Sequence, residues 1–87
     1  MKPDYELAIT LTKVNGFVTL VTQAIEEHQY LFALELLQTE LSAYQHALAL
    51  LPLIESKTFV DFFTPWLPAR IENTKEAISK VECLLHD

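Results

Sequence analysis

Ile9-Thr10-Leu11-Thr12-Lys13-Val14-Asn15-Gly16-Phe17-Val18-Thr19-Leu20-Val21-Thr22 can be read in two ways, and the choice decides the fold. In a β-hairpin, Asn15-Gly16 is the turn: Asn-Gly tolerates the positive φ angles a two-residue connection demands, and β-branched residues alternate on both flanks. In that register Leu11 faces Leu20 and Thr12 faces Thr19. In a helix, the stretch joins Leu7, Leu11, Val14, Val18, Val21 and Ile25, spaced 4-3-4-3-4 along one narrow face. Two strands alone are barely stable in water, and nothing else in the chain reads as a third. The helical reading is favoured, with Gly16 its weak point at about 1 kcal/mol relative to alanine.

Two further stripes follow the same rule. Leu34, Leu37, Leu41, Tyr44, Leu48 and Leu51 are spaced 3-4-3-4-3, and Leu67, Ile71, Thr74, Ile78, Val81 and Leu85 are spaced 4-3-4-3-4. Alternating threes and fours make the seam of a helix that packs against its neighbours. The stripes are out of phase across Glu27–Tyr30, which predicts a bend there without glycine or proline. Pro52 is expected to end the second helix, because it lacks an N–H and clashes with the preceding turn. Asp4 is expected to cap the first helix and Thr64, followed by Pro65, the third, with Ser56 opening a short helix through Phe63. These signals predict an all-α single domain over 1–87: a small antiparallel helical bundle of three long helices, with a possible short fourth at 56–63.

Composition excludes several classes of function. The chain has one Gly and one Cys, 12 acidic residues against 6 Lys+Arg, and a net charge of −6. A single glycine leaves no phosphate-cradling loop, and a single cysteine leaves no internal disulfide or multi-cysteine zinc site. The acidic balance opposes nucleic-acid binding, which needs cations to replace counterions on phosphate. Leu41–Ile54 is the longest uncharged stretch, at 14 residues against the roughly 20 that cross a bilayer, and no signal-peptide pattern opens the chain. Neither membrane insertion nor export is expected, and the lone Cys83 fits a reducing, cytoplasmic setting.

No constellation of catalytic residues emerges. Cys83 and His86 share a helix face, but a zinc site needs two more ligands, so neither metal nor cofactor is expected. The serines lack the glycines of a nucleophile elbow, and Cys83, on a helix seam, reads as a core residue. His46-Ala-Leu-Ala-Leu lacks the Lys-Gly of a histidine phosphotransfer site. Tyr44, Ala47 and Pro52 match one end of a tetratricopeptide repeat, whose other positions and second copy are missing. The chain reads as a non-enzyme.

What remains is a surplus of apolar residues. They make up 51% of the chain, and a body this small hides only about 60–65% of its unfolded surface. The second helix carries a second row, Ala33, Leu36, Ala43, Ala47 and Leu50, which predicts cover on more than one side. Phe59, Phe62, Phe63 and Trp66 crowd the connection to the third, either plugging the open end of the bundle or docking a partner. From Val14 to Ser56 there is no Lys or Arg, while Glu26, Glu27, Glu35, Glu40 and Glu55 fall inside, a solvated face or a patch that steers a basic partner. Glu76 and Lys80 are spaced for an i,i+4 ion pair.

Across roughly Phe17–Leu85 this pattern is similar in outline to the small helical export chaperones of flagellar and type III secretion systems. The resemblance implies a small cytoplasmic adaptor or chaperone that shelters an amphipathic segment of a client. Two alternatives stand beside it: an acidic immunity protein or antitoxin capping a basic toxin, and a structural subunit whose surplus closes a homodimer.

Overall fold

The computed structural model describes residues 2–86; Met1 and Asp87, the limits of the single domain read from the sequence, lie outside the described residues. Four α-helices follow one another: α1 (Pro3–Lys13), α2 (Phe17–Glu26), α3 (Tyr30–Leu50) and α4 (Lys57–His86). A 3₁₀ turn over Leu51–Leu53 follows α3. The fold is an all-α bundle, as the three stripes require, and among the described residues there is no strand. α3 is the central helix. Glu6 meets His46, Val21 packs with Leu37, and Arg70 meets Glu40, so the α1–α2 arm and α4 both run antiparallel to α3.

Asn15-Gly16 makes neither a hairpin nor a helix interior. Gly16 adopts a left-handed conformation (φ 86°) that ends α1, and Phe17 restarts the chain as α2. The turn re-phases the first stripe. Leu7, Val14 and Val21 are buried, but Val18 is 55% exposed and Ala24 takes a core position. The predicted bend at Glu27–Tyr30 is present, with His28 also at positive φ (59°). Pro52 lies just past the end of α3, as its missing donor dictates.

α4 differs from the reading of its boundaries. Ser56 does cap a helix, its Oγ accepting from Phe59 N–H at 3.3 Å, but that helix continues unbroken to His86. Thr64 is therefore no cap: its hydroxyl donates to the Val60 carbonyl one turn back at 2.6 Å. Pro65 and Pro68 sit inside α4. Both are exposed, on the side where the carbonyls they leave unpaired can be hydrated. Leu67 between them is fully buried.

Asp4 is also placed otherwise than predicted. It lies within α1, and its two carboxylate oxygens accept from Glu55 N–H (2.9 Å) and Ser56 N–H (3.0 Å). It ties α1 to the start of α4 instead of capping its own helix.

The core has two parts. Leu7, Val14, Tyr44, Ala47, Leu50, Leu67 and Ile71 form one cluster, and Val21, Ala24, Ala33, Leu37 and Val81 the other. On α3 the buried row runs Ala33-Leu37-Glu40-Tyr44-Ala47-Leu50, midway between the two rows read from the sequence; Leu34, Leu41 and Leu48 are half-buried. Its polar residues Glu35, Gln38 and Gln45 are exposed. The third stripe lies inward throughout, and its one polar member, Thr74, satisfies its hydroxyl on the Arg70 carbonyl at 2.7 Å. Cys83, expected in the core, is exposed. Glu72 pairs with Lys75 at 3.9 Å, and the Glu76–Lys80 pair does not form.

With extents of 46 × 19 × 16 Å, the molecule is a thin rod. Its accessible surface is 5779 Å², against about 5,200 Å² for a globular chain of 10.0 kDa.

Candidate functional site: an aromatic face on the last helix

Because α4 starts at Lys57, Phe59, Phe62, Phe63 and Trp66 fall on consecutive helical turns rather than in a loop. Spacings of three and four align them along one side of its N-terminal half. The rings touch in series: Phe59 on Phe63 (6.1 Å between centroids), Phe63 on Phe62 (4.9 Å) and on Trp66 (5.6 Å), all edge-to-face. Phe62 stacks on Trp66 at 6.2 Å, and Trp66 meets Tyr44 of α3 edge-on at 5.8 Å. These are the favoured geometries of ring quadrupoles.

The four residues do not share one environment. Phe63 and Trp66 are half-buried against the core, so they plug the bundle end. Phe59 and Phe62 lie outward, Phe62 58% exposed and supported from beneath by Trp66. Half of the cluster plugs the bundle end, and the other half lies outward.

Beneath the face lies a feature that no sequence signal singled out. Glu40, counted among the acidic surface residues, is only 2% exposed. Its Oε1 accepts from Arg70 Nη2 at 3.5 Å, and the same nitrogen reaches Tyr44 Oη at 3.5 Å. The guanidinium lies 5.7 Å from the ring centroids of both Tyr44 and Trp66, within cation–π range. Glu40 Oε2 and Arg70 Nε are enclosed without a partner. Burial raises the Tyr44 pKa above its ordinary value; Arg70 pulls it down while Glu40 adds to the rise. Tyr44 is thus a neutral phenol at pH 7. Glu40 falls on the apolar row of α3, and that register was the available signal. The pair separates the two core clusters and lines a cleft of about 260 Å³ with Val18, Thr22 and Asn73.

His46 is occupied structurally: its Nε2 lies 2.9 Å from Glu6 Oε1, tying α3 to α1. Among the described residues no group of three or more His, Cys, Asp or Glu side chains could hold a metal ion. No described helix is long and apolar enough to cross a membrane.

The arrangement defines a helical bundle with an aromatic face along the N-terminal half of α4. Comparison with protein-family models, curated proteins and solved structures finds no match to this chain.

Proposed function

We propose that this chain is a non-enzymatic protein-binding module, a small cytoplasmic adaptor or secretion-type chaperone. Its aromatic face receives the apolar side of a helical segment. The observation that carries the reading is Phe62, exposed yet stacked on a Trp66 that is itself held by Tyr44 and Arg70. A ring held in place from below loses little side-chain entropy when a partner covers it, which is what makes aromatic anchors effective at interfaces. Phe59 extends the face outward. The exposed thiol of Cys83 suits a reducing compartment.

The occupant is a helical segment of another protein or a second copy of the chain. Light scattering across a concentration series separates these, a mass near twice 10.0 kDa assigning the face to self-association. The reading itself is tested with Phe59→Ser/Phe62→Ser, both at exposed positions. The variant should keep its helical circular-dichroism signal and lose either the dimer mass or the protein co-purifying with wild type from the source cells. A variant unchanged on both counts overturns the reading.

The acidic alternative loses Glu40, which is buried in an ion pair, but keeps Glu26, Glu27 and Glu35 exposed around the α2–α3 bend.

A further inference from the structure

The far end of the rod carries a second apolar surface, independent of the aromatic face. Where α2 turns into α3, the bend presents Leu31, 68% exposed, and Phe32, 46% exposed. Together with His28, Gln29 and Tyr30 of the bend and Leu85 from the end of α4 they line a concavity of about 370 Å³. Two consecutive large apolar side chains at the first turn of α3 have no fold-level reason to face water. Tyr30, fixed edge-on against His28 at 5.8 Å, already closes the core beneath them.

The surrounding charge is mostly negative. Glu26 and Glu27 lead into the bend, Glu35 is one turn beyond Leu31 and Phe32, and Glu82 is one turn before Leu85. All four are exposed. Against them stands one ammonium, Lys80, a turn below Leu84, and no Lys or Arg occurs between Lys13 and Lys57. An apolar concavity ringed by carboxylates is complementary to a segment with apolar anchors flanked by Lys or Arg. It would repel an anionic membrane surface. A second copy is a poor complement, since the cations of α4 alternate with Asp61, Glu72 and Glu76. We infer that this end docks a basic amphipathic helix of a partner protein. With the aromatic face near the opposite end of a 46 Å rod, the two sites engage different segments at once.

The test uses the full chain and a fluorescein-labelled helical peptide of about four turns, leucines on one face and lysines on the other, with a leucine–glutamate twin. Anisotropy should report binding of the lysine peptide at about 20 mM NaCl, weakened at least about tenfold by 300 mM as the charges are screened. The glutamate twin should not bind. Leu31→Ser/Phe32→Ser should abolish binding, and Glu27→Lys/Glu35→Lys, on exposed positions that leave the core intact, should weaken it about tenfold. Phe59→Ser/Phe62→Ser should leave it unchanged. Equal binding of both peptides, or wild-type binding by either variant at the bend, overturns the inference. Loss through Phe59→Ser/Phe62→Ser transfers the site to the aromatic face. A wild-type dimer made monomeric by Leu31→Ser/Phe32→Ser gives the concavity to a second copy.

Discussion

The N-terminal arm and α4 treat their helix breakers in opposite ways. Between α1 and α2 the chain breaks at Asn15-Gly16 without a proline, whereas α4 passes through Pro65 and Pro68 without a break. Local chemistry ranks them the other way, since an interior proline costs about 3 kcal/mol and an interior glycine about 1. The difference is in the backbone at each breaker and the contacts made across it. Leu67, buried between the prolines, and Ile71 hold α4 against the core, while around Gly16 there is no neighbour within 4 Å of where a Cβ would sit. Val14 and Phe17, on either side of Gly16, reach the same core, so the left-handed glycine ends α1 by its backbone conformation, while the buried Leu67 face carries α4 through its prolines.

The comparison breaks most severely at Leu67. Leu67→Ala should lower the unfolding free energy by about 3 kcal/mol in urea titrations, because it leaves a cavity and unclamps the prolines together. Next is Arg70→Ala, expected to lower it by about 2–3 kcal/mol, since Glu40 is left as an enclosed, unpaired carboxylate. The double change Glu40→Leu/Arg70→Met should recover most of that loss, and failure to do so would mean the charges themselves hold the two core clusters together. A sharper pair has opposite signs. Gly16→Ala should destabilise by about 1 kcal/mol, because its φ of 86° strains any Cβ-bearing residue. Pro68→Ala should stabilise by about 1 kcal/mol, by returning a donor to the Thr64 carbonyl. If both changes destabilise, the prolines contribute something beyond being tolerated.

The smallest effect is alkaline. Tyr44, raised by burial, keeps its proton in the folded state at pH values where the unfolded chain, at its ordinary value of 10.0, has lost it. The folded state then binds more protons, so stability is fully present below pH 10 and falls as pH rises through the folded pKa. Melting curves above pH 10 should show this fall, reduced in Tyr44→Phe.

Periodicity made the bundle legible and located the bend at Glu27–Tyr30, and Pro52 marked the end of α3. It failed where a residue's neighbours, not its spacing, decide its state. Thr64-Pro65 has the chemistry of a helix start, yet Ser56 caps a helix from Lys57 whose Phe63 packs on the core, and that helix runs on through both residues. Val18 is in phase with Leu7 only if no turn intervenes, and Gly16 intervenes. Glu40 lies on an apolar row, but a lone carboxylate cannot announce a partner thirty residues away. The aromatic cluster was identifiable by type and position, whereas its division into anchored and outward rings depends on Tyr44, which is remote in sequence.

The carboxylate of Asp4 also bears on the order of events during synthesis. It is made 51 and 52 residues ahead of the two amides it will accept from, roughly 3–10 s at common elongation rates. During that interval α1 can engage only α3, through the Glu6–His46 contact and the core cluster that Leu7 and Val14 share with Tyr44 and Ala47. A nascent chain halted before Ser56 therefore lacks the long-range contact that joins α1 to the start of α4.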